Sequence, residues 1–310
     1  MYKSYVVLFL VIFSSALYAQ VDGITGEIKH RFIITGNSIN KIFIVNESGK
    51  IEWEAETKGE SYEVAMLPDE NILFPYRWGC ALMNRDKEVL WYFSSPKEKG
   101  QEIHSVQPYG KNGFIALQSG DFKGTPPRII FLNENGKVTN ELALPPSSQN
   151  PHSQCRSIRV TPKGTFLVCY FGDNICREYD KKGKLLWEYA SPFNCYSAVR
   201  LKKGNTLIGC GDGHVVLEVN KQKEIVWQLS ENEIPGHPLR FVAGVCRLPN
   251  GNTMIVNWGG HYKEGLQPLA FEVTPDKKLV WSIASTAEKQ IGKPLSIQPL
   301  EISLKKKYWR

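Results

Sequence analysis

Six histidines, several arginines and two loop tryptophans are the residues here whose types can carry chemistry. His104, His152 and His237 can exchange protons near neutral pH, and Arg77 and Arg240 can hold an anion or stabilise developing negative charge. Trp78 and Trp258 offer stacking faces, with His261 and Asn257 as polar neighbours. Cys155 and Cys195 begin successive repeats at matching positions. A nucleophilic Cys195 would need a base beside it, and His237 is the nearest loop candidate in chain order. Asp173 and Asp212 lie in Gly-Asp turns, where bonding their own turn is the ordinary role; glycoside hydrolysis would need their carboxyl groups to face each other. No HxH or HExxH spacing occurs, so neither a metal nor another cofactor is expected. GxSxG, P-loop and dinucleotide fingerprints are absent, which argues against the enzyme classes built on them.

These residues fall at fixed places in a repeat. An alternating strand leads into a Gly/Asn/Asp/Lys turn, an apolar strand, a loop, a third strand, a second polar turn and a strand that usually carries Trp. The clearest copies run from Cys155 to Ser191 and from Cys195 to Ser230. Trp53, Trp91, Trp187, Trp227 and Trp281 recur in the final strands, with Val138 near that place in the third copy. Five whole copies and one partial copy are present. The partial copy opens the chain at residues 27–57 without an inner strand, and residues 293–304 supply one. An all-β, six-bladed β-propeller of four-stranded antiparallel blades follows, its N-terminal blade completed by a C-terminal strand so that no sheet edge is left open. The expected blades are 27–57 with 293–304, 60–95, 103–144, 154–191, 194–231 and 240–285, all in one domain spanning 20–310.

On such a scaffold, the starts of the inner strands (His104, Cys155, Cys195, Val242) meet the ends of the second strands (Ser119, Tyr170, Cys210, Asn257). That face receives the irregular loops with Arg77, Trp78, Asp121, His152, His214, His237, Arg240, Trp258 and His261. The opposite turns are monotonous, so the binding surface is expected on the irregular side.

Residues 1–19 pair one charge, Lys3, with an apolar run and small residues near Ala19. This is the pattern of a secretory signal peptide and implies a periplasmic, extracellular or cell-surface protein with no transmembrane segment in the mature chain. The net charge of +7 is spread over lysine-rich hairpin turns, which argues against a nucleic-acid partner. Seven cysteines without a CxxC are read as mainly buried thiols.

The stretch CREYDKKGKLLWEYAS, with Asp180, Gly183 and Trp187, resembles the repeat of pyrroloquinoline-quinone-type propellers, where a hairpin reads D-x-x-T-G-x-x-x-W; Lys182 replaces the usual Thr. The resemblance implies the blade. The adjacent cysteines and acidic calcium set that hold the quinone have no counterpart here. The chain is also faintly similar to arylsulfotransferase propellers, which use a histidine in a central pocket. The leading expectation is an exported, monomeric scaffold that binds an envelope or extracellular protein or a glycan through the irregular face. The alternative is a periplasmic transferase or lyase acting there on an anionic, sulfated or acidic sugar-like substrate.

Overall fold

The computed structural model describes residues 19–147, 149–261 and 267–300; most of the expected signal segment and residues 301–304 of the expected closing strand lie outside them. Among the described residues the strands form six sheets, five of four strands and one of five. Each blade carries its first strand on the inside of the ring: Ala65–Met66, Ile103–Tyr109, Cys155–Val160, Ser197–Arg200 and Val242–Arg247 in blades two to six. In blade one the inner strand is Ile297–Pro299, antiparallel to Phe32–Gly36 through the register Phe32↔Pro299 to Ile34↔Ile297. The ring closes as the repeat predicts.

A second closure was not legible in the repeat. Ile24–Gly26 adds a fifth strand to the outer edge of blade six, pairing Ile24 with Ile283 and Gly26 with Trp281. The N-terminal segment therefore clamps the last blade, while the C-terminal segment completes the first.

Burial follows position in the ring. Second strands such as Phe166–Tyr170 and Thr253–Asn257 are buried at every residue, because neighbouring blades cover both faces. Outer strands alternate, as Ile51–Glu56 does, because water reaches between their edges. The repeated tryptophans reach to the following blade. Trp53 Nε1 donates to the Arg85 carbonyl at 2.8 Å, and Trp227 Nε1 to the Pro275 carbonyl at 2.9 Å. Trp91 lies over Gly136, where an added Cβ would come within 2.6 Å of the indole and where φ is +71°. That turn therefore needs glycine twice over. Arg200 and Arg247 stack on Trp187 and Trp227, at 4.4 and 5.3 Å from the ring centres, and each also pairs with a glutamate of the preceding blade, Glu178 or Glu218. No helix among the described residues is long and apolar enough to cross a membrane.

If the closing strand locks the ring, Ile297→Ala, at a fully buried site, should lower unfolding stability by about 2–5 kcal/mol. Urea denaturation checks this; a loss well under 1 kcal/mol would mean that the closing strand contributes little.

Candidate active site at the propeller mouth

Two adjacent inner strands start with a bulge. In blade three Leu117 faces Ser105 and Gln118 faces Ile103, so His104 is the extra residue. In blade four Tyr170 faces Cys155 and Cys169 faces Ser157, so Arg156 is the extra one. Bulges turn a side chain out of the strand's alternation, and here both residues reach the same mouth. A one-turn helix, Pro151–Gln154, brings His152 to them from the loop between the two blades. Asn150 caps it by accepting the Ser153 amide, and Pro151 occupies its first turn.

Glu102 is the centre of the cluster. Its carboxylate is buried, 3% exposed, and engages three side chains. Oε2 lies 2.8 Å from His104 Nε2 and 2.7 Å from His152 Nδ1. Oε1 accepts from Arg77 Nε at 3.0 Å and Nη2 at 2.9 Å. Burial pushes the Glu102 carboxyl up, but the hydrogen bonds and charges of His104 and His152 outweigh it and hold the group well below the usual carboxylate range. For His104, burial first and the Arg156 charge second draw the imidazolium down to about 4, against the opposing pull of Glu102. The Nδ1–H of His104 is committed to the Cys155 carbonyl at 2.7 Å.

Aromatic walls enclose the cluster. Tyr62 meets His104 edge-on with ring centres 5.0 Å apart. Burial, then the Glu102 charge, raises its phenol pKa well above the ordinary value, so Tyr62 stays protonated. The Arg156 guanidinium sits 5.8 Å from Tyr62, 5.5 Å from Phe171 and 5.8 Å from Tyr196, measured to the ring centres. Among the described residues no acceptor engages Arg156, and its buried Nε has no hydrogen-bond partner. Three aromatic faces at about 0.5–2 kcal/mol each offset part of the cost of that desolvated charge. Below lies a narrow space with about 10 Å³ open to a water-sized sphere, bordered by Ser157, Tyr196 and Gly244, room for about one water. Its floor is the buried pair of Glu63 and Arg159. Glu63 also accepts from Ser105 Oγ at 2.6 Å, the Val106 amide at 3.2 Å and Gln107 Nε2 at 3.0 Å.

Of the expected site residues, the structure gathers Arg77, His104, His152 and the Cys155 carbonyl. Trp78 borders the group through Arg77, whose guanidinium lies 5.1 Å from its ring centre. Seven others are placed elsewhere. His237 bonds Pro235 and Ser282 Oγ on blade six, Arg240 pairs with Glu231, and Cys195 is buried in the core between blades four and five. A Cys195–His237 pair is therefore not formed. Tyr170 is buried with its hydroxyl 2.9 Å from that of Tyr179. Asn257 is a clamp, accepting from the amides of Arg240 and Phe241 and donating to the Pro238 carbonyl. Trp258 and His261 form a separate group with Phe241, where His261 Nδ1 lies 3.0 Å from Asp212. Burial raises the Cys155 thiol well above its usual pKa, so only its carbonyl serves the site. All seven cysteines are buried and unbridged. Glu102, His104 and His152 offer three potential ligand atoms within 4.8 Å of one another. Sequence spacing hid this, because His152 arrives from the next blade. Glu102 and Tyr62 carry no comparable sequence signal; Glu102 stands two residues before His104, just ahead of the strand, and the bulge that brings the two together is set by pairing with the neighbouring strand.

Comparison with known proteins places the chain. Residues 39–273 match the model of the Mal s 1 allergenic protein-like family. The chain belongs to that family. The likeness to quinone-type repeats therefore holds at the level of the blade. A search of the curated proteins finds no match. Among solved structures, the chain is similar to a protein of unknown function from Bacteroides caccae, at 29% identity and TM-score 0.77, over 89% of this chain and 99% of that one. It also resembles a catalytically inactive histidine-to-alanine variant of virginiamycin B lyase from Staphylococcus aureus with quinupristin, at 16% identity and TM-score 0.58, over 83% and 82% of the two chains. A luciferin-regenerating enzyme is similar at 10% identity and TM-score 0.55, over 79% of this chain and 86% of that one. At such identities the last two share the fold alone.

Arg156 carries an unpaired, half-buried charge that the fold does not need. Arg156→Met should therefore unfold at or above the wild-type temperature, a gain of up to about 2 kcal/mol. Thermal denaturation tests this, and a clear loss of stability would make the arginine a structural strut.

Proposed function

We propose that this propeller is an enzyme of the lyase type, acting on a small anionic organic substrate at the mouth formed by blades two to four. One observation carries the reading: a buried carboxylate gathers two histidines and an arginine, while the neighbouring Arg156 has no acceptor of its own among the described residues. A structural ion cluster satisfies its charges, whereas this one leaves a cation facing the opening. Arg156 would take the anionic group of the substrate, with the rings of Tyr62, Phe171 and Tyr196 packing beside it. The Glu102–His104–His152 cluster would remove a proton from the carbon next to an electron-withdrawing group. The C–H electron pair becomes the new C=C bond, the bond to the leaving group breaks, and that group departs with its electrons and takes up one proton.

Lyases among the solved structures that share the fold support the class, and the acidic or sulfated substrate expected from sequence fits Arg156. A scaffold that binds protein or glycan through Trp78 and Trp258 has less support, since both indoles pack against blade cores. The N-terminal segment supports a place of action outside the cytoplasm.

The test is a panel of small carboxylated and sulfated compounds with a β leaving group, followed by ultraviolet absorbance of the new alkene and by mass spectrometry. For a substrate that turns over, Arg156→Ala and His152→Ala should each lower kcat/KM by about 100-fold or more, and His237→Ala should not. Turnover that survives both changes would refute the assignment.

A further inference from the structure

Three potential ligand atoms stand within 4.8 Å of one another at the mouth. His104 Nδ1–H donates to the Cys155 carbonyl at 2.7 Å, which fixes the ring so that Nε2 faces Glu102 Oε2 at 2.8 Å. His152 Nδ1 meets the same oxygen at 2.7 Å, so two imidazole nitrogens are gathered on one carboxylate.

We infer that Glu102, His104 and His152 form a binding site for a divalent transition-metal ion of the zinc type, at the mouth between blades three and four. The inference rests on the reading of this mouth as a reactive centre and changes one role in it: an ion on these donors would supply a water of lowered pKa as the base in place of the free imidazoles, and its test reads metal rather than turnover.

The surroundings are those of a metal site. A ligating histidine ordinarily donates its other ring N–H to a carbonyl or carboxylate, and a ligating carboxylate is itself hydrogen-bonded. His104 has the Cys155 carbonyl in that place, and Glu102 keeps Arg77 on its second oxygen. Two imidazole nitrogens and one carboxylate oxygen select zinc-like ions over magnesium or calcium, which prefer all-oxygen sets. Ligands about 2.0–2.1 Å from a tetrahedral zinc stand about 3.3–3.4 Å apart, so the carboxylate–imidazole gaps of 2.8 and 2.7 Å need to open by roughly half an ångström. His152 can supply that movement, since it sits on a one-turn helix at the rim with its side chain 44% exposed. Three protein ligands would leave a fourth position open, as catalytic zinc sites do.

Tag-free protein stripped with a chelator should bind one equivalent of Zn²⁺ in calorimetry near neutral pH, with a sub-micromolar Kd that excess Mg²⁺ does not change. Co²⁺ at the same site should give visible d–d absorption. His152→Gln, on the rim, and Glu102→Gln should each weaken binding by about 100-fold, with circular dichroism confirming that both fold. The inference falls if the wild type takes up no stoichiometric Zn²⁺, or if uptake is unchanged in both variants, which would place the ion elsewhere. Turnover by the chelated protein would then show whether the reactive-centre reading survives without the metal.

Discussion

A ring of blades has buried faces only while its last blade stays locked to its first, and every other feature of this molecule depends on that lock. It is made from both ends of the chain. Ile297–Pro299 fills the inner place of blade one, and Ile24–Gly26 adds the outer strand of blade six. Each exchange covers an edge whose amide and carbonyl groups would otherwise template pairing with another chain. The tryptophans of the outer strands work in the same sense, because Trp53 and Trp227 bond a carbonyl in the next blade. Stability therefore runs around the ring from neighbour to neighbour.

Closure also forces the inner strands to converge, and convergence makes the site. Tyr62, Arg77, Glu102, His104, His152 and Arg156 come from three blades and the loops between them. Two bulges at equivalent places turn His104 and Arg156 out of register. A continuous strand would have sent one of its residues into the inter-blade core. The polar content of the channel is stratified. The lower layer, Glu63 with Arg159 and its hydrogen-bond donors, is paired within itself. In the upper layer Arg77 pairs with Glu102, while Arg156 has no acceptor among the described residues. A paired lower layer beside an unpaired cation is the consequence.

Trp78 and Trp258, the two tryptophans most open to a binding role from sequence, are partly buried and pack against the blades. Trp258 shares its surroundings with Phe241, His261 and Lys293, while Trp78 stacks with Arg77, whose guanidinium holds Glu102.

The repeat, the count of six blades and the strand completed from the C-terminal side were legible in the sequence. Each is a local pattern of alternation, turn residues and recurrent tryptophan, repeated often enough to be unmistakable. His104, His152 and Arg77 were also legible as candidates, because ionisable residues in irregular segments stand out against a monotonous repeat. Their partnership was not. Arg77 and Glu102 lie on successive blades, and His152 reaches back from the next connection, so their meeting depends on the curvature of the ring. His237 and Arg240 looked equivalent in sequence and were separated from the cluster by that same geometry. The bulges at His104 and Arg156 decide which side chains leave the alternation, and a bulge is set by pairing with the neighbouring strand. Local periodicity determined the scaffold; only the closed ring decided which of its charged groups share a site.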